Sequence, residues 1–524
     1  MTVATMRTHT ASRVFALAAV VAALLAAPAF AADGSTTQRV REVETGLRPA
    51  ISIEGEKPVR WTIEERMAHW KVPGVSIAVV SDGKLAWARG YGVKQAGTHD
   101  KVDTDTLFSV GSVSKVGAAS ITLRMVDAGL LDLDRDVNGY LKGWQVPGNE
   151  FTVIQPVTLR GILSHSAGLT LSGFPDFLPG EKLPTAIDTL EGRPPSKTEP
   201  VRVFYTPGTR QSYSGGGTTV EQLVIQSVSG LDFVAAAQKY LFMPLGMQRS
   251  TYQNPIPAER GNIAKAHDEQ GRPTALPRGW EAMPEMAASG LWTTPSEYAR
   301  MLIALIESYR GSKDTFLSPR LAGQMLTEVG VSRFGLGPML DGEGRQRRFY
   351  HSGANDSYRA WFEAFPYSGN ATVIVTNGAN GTQLIPEIAR AIAAAEGWER
   401  SGTLLAPAVT LDAAALDEFV GVYAIADTHS PVATRWGESV TSYRVWRDGA
   451  TLYMGQGDSK RGERLVPLDR THFAMDWHDT PLRVEFVRGY DAAIDGIIVR
   501  KGSYALEGSK VTRQNPGAAY SSIR

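Results

Sequence analysis

Ser112-Val113-Ser114-Lys115 places a serine three residues ahead of a lysine. A serine hydroxyl is a weak nucleophile at neutral pH until a nearby base takes its proton. Residues spaced i, i+3 on a helix share a face, so an unprotonated Lys115 amine can be that base for Ser112. The chemistry on offer is attack on a carbonyl with formation of an acyl-enzyme. Two fixed letters recur by chance, and Ser81-Asp82-Gly83-Lys84 is a second copy. There Asp82-Gly83 is a hairpin-turn dipeptide between the β-rich runs 75–80 and 85–88, and a turn splays the pair. Ser112 instead follows Leu107-Phe108-Ser109-Val110-Gly111 and opens a stretch, 113–128, that reads as a buried helix stopped by Gly129. Nucleophile and base then sit at a helix N-terminus, where the dipole favours a developing anion. The alternative for Ser112 is an ordinary helix N-cap, the usual job of a serine before such a run.

A Ser-Lys pair also needs a proton shuttle to the leaving atom, donors for the oxyanion and a place for the substrate's charge. Tyr213 stands in Pro207-Gly208-Thr209-Arg210-Gln211-Ser212-Tyr213-Ser214-Gly215-Gly216-Gly217, a turn-rich approach to the helical pattern 218–228. His351-Ser352-Gly353 precedes the strand-like Tyr358-Arg359-Ala360-Trp361-Phe362. Each has a plain structural reading, a packed tyrosine beside glycines and a turn histidine. The elements that must position them begin after a polar stretch, 33–56. Residues 61–70 read as an amphipathic helix stopped by Pro73-Gly74, and the first hairpin follows. Strands at 359–365 and 372–376 and a helix at 384–395 close one α+β unit. A loop-like run, 397–408, leads to short strand patterns at 442–446, 451–454, 482–487 and 496–500, which suggest a small antiparallel β-domain, a barrel. The division expected is 1–31, 32–404 and 405–524.

The chain has 524 residues, 43% of them hydrophobic, enough for two or three units with full cores. Lys+Arg and Asp+Glu both total 54, so the balance offers nothing to a polyanion and a nucleic-acid partner is not expected. Arg7 and Arg13, an apolar run at 14–25 and Ala29-Phe30-Ala31 form a signal peptide pattern, with removal expected after about Ala31. That implies export to a periplasm or medium with no stable membrane span left. Zero cysteines exclude disulfides and thiolate metal sites. The nine histidines include no His-Glu-x-x-His pair; His472 and His478, beside Asp476 and Asp479, read as surface rather than as a metal site. No cofactor and no metal is called for.

In this order the blocks resemble the serine hydrolases of the class C β-lactamase and D-Ala-D-Ala carboxypeptidase family, peptidase family S12. Thr106-Leu107-Phe108-Ser109-Val110-Gly111-Ser112-Val113-Ser114-Lys115 looks like the family's nucleophile segment, and Val157-Thr158-Leu159-Arg160-Gly161-Ile162-Leu163-Ser164-His165-Ser166-Ala167-Gly168-Leu169 like its typical loop. Pro244-Leu245-Gly246-Met247 and Ala288-Ser289-Gly290-Leu291-Trp292-Thr293-Thr294 are similar as well, and Phe419-Val420-Gly421-Val422-Tyr423 looks like the start of an appended lipocalin-like domain. The resemblance implies a β-lactamase/transpeptidase-like α+β fold. It makes Ser112 the nucleophile, Lys115 its base or shuttle and Tyr213 the second-motif tyrosine. His351, with Ser352 and Gly353, takes the third motif beside a substrate carboxylate, and the N–H groups of Ser112 and Ala354 form the oxyanion hole. His165 looks like a scaffold histidine. The family's second motif is commonly Tyr-x-Asn, whereas here it reads Tyr213-Ser214-Gly215; Tyr252-Gln253-Asn254 matches the letters but lies downstream of the expected place. Without that amide, esters or short peptides gain on β-lactams as substrates. The leading expectation is a peptidase or carboxypeptidase on short or D-residue-containing peptides, then an esterase, then a β-lactamase. A catalytically silent homologue that binds peptide or glycan is the alternative of a different class.

Overall fold

A computed structural model of the chain describes residues 34–511 except 178–179, 275–281, 399–402, 408, 426–439, 458, 460–461, 477–480 and 502–503. The expected signal peptide lies outside the described residues, as do His478 and Asp479 of the surface cluster. His472 is exposed and its ring bonds Asp469. Among the described residues no helix is long and apolar enough to cross a membrane, and no group of three or more His, Asp or Glu could hold a metal ion.

A six-stranded antiparallel sheet is the frame, in the order Lys84–Gly92, Gly74–Ser81, Asn370–Thr376, Arg359–Phe365, Arg348–Ala354, Met339–Asp341. Its central strands are apolar on both faces because both are covered. Along Gly74–Ser81, Val75, Ile77 and Val79 pack into one core with Ile388 and Ile392 of the helix Gly381–Ala395. Ala78 and Val80 point to the other, larger core, which holds the helices Ser114–Asp127 and Pro295–Arg310. The polar stretch at 33–56 is more structured than its composition suggests. It contains the helix Gly34–Glu44, whose Val40 and Val43 are buried, and the strand Ile51–Ile53, which pairs in parallel with Leu404–Ala406. Two buried valines one helical turn apart were enough to dock that helix. Residue 405, the expected boundary, is therefore itself paired to the N-terminal segment.

Eight antiparallel strands from Gly421–Ile425 to Tyr504–Lys510 close into a barrel, the last bonding to the first. Its interior is filled by Phe419, Tyr423, Tyr443, Phe473 and Phe486 together with aliphatic side chains, the packing expected of a small barrel. The strands Glu463–Pro467 and His472–Met475 add to the runs expected at 442–446, 451–454, 482–487 and 496–500.

Candidate active site

The turn that carries Ser112 is built from outside the helix it precedes. Gly111 adopts φ +49°, and a Cβ there would stand 2.8 Å from the backbone nitrogen of Ala354. Only glycine combines that conformation with that approach. A Cβ on Gly353 would meet the Val110 carbonyl oxygen and lie 3.1 Å from the backbone nitrogen of Ser112. The two glycines thus let the edge of the strand Arg348–Ala354 close onto the serine turn and bring both backbone nitrogens to one space. Residues 111–113 form a single 3-10 turn, and the α-helix proper is Ser114–Asp127, starting one residue later than its letters indicate. Ser114 accepts from the Leu291 N–H at 2.9 Å, Tyr252 donates to the Ser114 carbonyl at 2.6 Å and Tyr298 to that of Val113 at 3.2 Å. No side chain, Ser112 included, caps this helix, so the N-cap reading of Ser112 has no bond to support it.

Lys115 Nζ lies 3.0 Å from Ser112 Oγ and donates to the Ala288 carbonyl at 2.8 Å. The side chain is buried, and loss of hydration brings its pKa down to about 7, against the opposing pull of the Glu221 carboxyl. Glu221, from the helix Gly215–Ser229, is itself buried, accepts from Thr122 Oγ1 at 2.6 Å and is pushed up to about 8 by burial. The amine is consequently available as a base near neutrality. Tyr213 presents its ring 4.9 Å from Lys115 Nζ. Burial raises its phenol above the ordinary value, and the nearby Ser112 hydroxyl offsets only part of this, without forming a hydrogen bond of ordinary geometry. Burial thus favours a neutral lysine and disfavours a phenolate at Tyr213, which leaves Lys115 as the base.

His351 is buried and its pKa falls to about 3, through desolvation first and the Lys115 charge second. Its Nδ1 sits 2.6 Å from the Ser352 carbonyl oxygen. A carbonyl only accepts, so Nδ1 carries the hydrogen and Nε2 is a lone pair, buried and unpaired. The ring centres of Tyr213 and His351 are 6.1 Å apart. His351 is therefore a neutral acceptor rather than a cation, and a substrate group seated between the Tyr213 hydroxyl and His351 Nε2 would pair both. Ser352, next along the strand, has an exposed side chain and contributes its carbonyl; Ala354 is exposed at the strand's end.

His165, expected as a scaffold histidine, stacks on Tyr213 at 4.3 Å, accepts from the Ser214 N–H at 3.1 Å and holds φ +56°, so it positions the tyrosine. Other parts of the machinery carried no letter signal. Arg333 adds positive charge that reaches both imidazoles. Gln222 accepts from the Ala287 N–H and fixes the turn whose next carbonyl receives Lys115. The rival Tyr252-Gln253-Asn254 belongs to the core: Tyr252 is fully buried between Phe233 and Phe242, and Asn254 bonds Gly290. Ser81 and Lys84 face each other across their hairpin, and Ser81 bonds Glu396.

Asp176 faces Asp356, two residues beyond Ala354. Burial and that second carboxyl push its pKa up to about 7. An acid whose folded-state pKa exceeds its unfolded value near 4 costs stability increasingly as pH rises between the two, and the full cost remains above pH 7. Asp176→Asn should therefore raise the thermal midpoint by roughly 2 °C at pH 8 and leave it unchanged at pH 4, as differential scanning fluorimetry at the two pH values would show.

The profile of the family described as Beta-lactamase matches residues 59–396. The chain belongs to the β-lactamase family. This β-lactamase-family chain is 27% identical to "Penicillin-binding protein 4" of Amycolatopsis lactamdurans over 65% of its own length and 93% of that protein. It is also 27% identical to a "Beta-lactamase" of Lysobacter lactamgenus, over 44% of its length and 57% of that protein, so it spans little more than half of the latter. The octameric penicillin-binding protein homologue from Pyrococcus abyssi shares the fold with a TM-score of 0.54 at 20% identity, covering 85% of this chain and 98% of that one. Membership makes the protein a serine hydrolase, consistent with a Ser-Lys-Tyr site.

Proposed function

We propose that the protein is an exported peptidase or carboxypeptidase on short or D-residue-containing peptides, working through an acyl-enzyme on Ser112. The observation that supports it most is the 3.0 Å contact between Ser112 Oγ and a Lys115 amine held near neutrality by burial. Ser112 Oγ bonds to the substrate carbonyl carbon as its proton passes to Lys115 Nζ. The oxyanion is received by the N–H groups of Ser112 and Ala354, each contributing about 3 kcal/mol in comparable sites. Expulsion of the leaving nitrogen breaks the scissile bond, and the proton reaches it from Lys115 by way of the Tyr213 hydroxyl. A water then attacks the acyl carbon and gives its proton to the same pair; the bond from that carbon to Ser112 Oγ breaks, a proton returns to Oγ and the acid is freed. His351 Nε2 is free to accept from a donor group of the substrate, and the Arg333 charge suits a C-terminal carboxylate. Residues 32–404 would carry this chemistry, and the segment from 405 on would be a separate unit.

Gly215 in the second motif guides the substrate order: without an amide there, short peptides and esters come ahead of β-lactams. The test is product analysis by mass spectrometry with a mixture of D-Ala-D-Ala-terminated and all-L peptides, alongside nitrophenyl esters and nitrocefin. The expected result is cleavage of the D-terminated peptides at the last bond, faster than nitrocefin turnover by about tenfold or more. Turnover of nitrocefin alone would overturn the ordering, and turnover of nothing would favour a silent binding protein.

A further inference from the structure

Gly215 begins the helix Gly215–Ser229 two residues after Tyr213, and its surroundings show what the missing side chain has been exchanged for. A Cβ built on Gly215 would lie 2.8 Å from Phe174 Cε2 and 3.2 Å from the Ser172 carbonyl oxygen. On Gly216 it would lie 2.6 Å from the Thr170 carbonyl oxygen. The segment 170–177 is pressed against the helix start: a Cβ on Gly216 would meet its backbone, and one on Gly215 would displace the Phe174 ring. It is fastened there by Ser214 Oγ donating to the Thr170 carbonyl at 2.8 Å and the Gly216 N–H donating to Leu171 at 3.1 Å.

Its other end is fastened on the opposite side of the site. Phe177 bridges to Ala282, on the stretch that leads to the Ala288 carbonyl bound by Lys115. Asp176 meets Asp356 just past the oxyanion nitrogen of Ala354. The segment thus runs from the tyrosine side of the nucleophile to the oxyanion side. Within it Ser172, Gly173 and Pro175 are exposed, while Phe174 is half-buried against Gly215. An aromatic ring thus occupies the space beside Gly215, two residues from Tyr213, where the amide of the usual motif would stand.

We propose that Phe174 is the specificity-determining residue for the acyl half of the substrate, selecting apolar aliphatic or aromatic acyl groups by contact with its ring. The proposal rests on the Ser112 acyl-enzyme reading and adds the class of group that the acyl side takes. Removing a ring that contacts several methylene groups should cost long acyl chains far more than short ones, since each methylene seated in an apolar pocket accounts for about tenfold or more. The glycines account for the geometry: Gly215 is the space into which the ring fits.

The experiment compares kcat/KM for p-nitrophenyl acetate, hexanoate and phenylacetate in the full-length protein, its Phe174→Ala, Phe174→Leu and Gly215→Asn variants and the double variant Phe174→Ala/Gly215→Asn. Phe174→Ala is expected to lower the hexanoate-to-acetate and phenylacetate-to-acetate ratios by about tenfold or more. Phe174→Leu should restore the hexanoate ratio but not the phenylacetate one. Gly215→Asn alone collides with the ring, so the double variant should recover Ser112 labelling that the single asparagine variant impairs. Equal changes for all three esters, or none, would overturn the proposal. Fluorophosphonate labelling of the wild type is read separately: its absence would remove the acyl-enzyme reading, whereas intact labelling with unchanged ester ratios removes only the role of Phe174.

Discussion

Ser112→Ala will abolish turnover while leaving the fold intact. With the nucleophile gone, only binding and the oxyanion donors remain, and kcat should fall by a factor of about 10⁴ or more. A fluorophosphonate adduct, seen as a mass increase on the intact wild-type protein, should be missing from the variant. Stability separates this role from the capping role that serines often fill before a helix. Loss of an N-cap hydroxyl costs about 1 kcal/mol, but Ser112 caps nothing, and the turn is held by Leu291, Tyr252 and Tyr298 through Ser114 and Val113. The thermal midpoint should therefore stay where it is. A variant that melts several degrees lower yet still hydrolyses esters would mean that the serine is structural.

How far the letters carried depended on whether a signal was local. The hairpin at Asp82-Gly83, the helix Ile63–Trp70 with its Thr62/Glu65 capping box and the strand Arg359–Phe365 all declare themselves within a few residues. Ser112 and Lys115 were readable together because one helical turn joins them. Tyr213 and His351 were placed beside them by resemblance, since nothing in their own neighbourhoods says which distant segment they will meet. His165 was legible as a scaffold residue of its loop, but not its stacking on Tyr213; Glu221 and Gln222 act through tertiary contact alone, a carboxyl that faces a lysine from another helix and an amide that fixes a turn some sixty residues on. Protonation was illegible for the same reason. The letters allow either a cationic or a neutral His351, and only its complete burial beside Lys115 decides for neutral. Gly215 was legible as a departure, but its meaning lies in Phe174, forty-one residues away in sequence and in contact in space.

Lys115→Met will trade activity for stability, with a pH signature in both. In the wild type, kcat/KM should climb as the buried amine loses its proton, with an apparent pKa near 7. The variant should lose about 10³-fold or more in acylation rate, together with that limb of the profile. Stability moves the other way. A lysine whose folded-state pKa lies below its unfolded value near 10.4 leaves the unfolded chain binding more protons, so its burial penalty is complete below pH 7 and fades as pH rises towards 10.4. Methionine keeps much of the stem and removes the charge. The thermal midpoint of the variant should exceed that of the wild type by several degrees at pH 6.5, and the two should converge near pH 10. The groups packed around the amine do not reverse this sign: His165 and His351 are held neutral by burial, Tyr213 and Tyr252 are raised phenols, and Glu221, already pushed up to about 8, becomes easier to keep protonated once the lysine charge has gone. Equal melting at pH 6.5 and an unchanged activity limb would show that the amine does not carry the proton that Ser112 gives up.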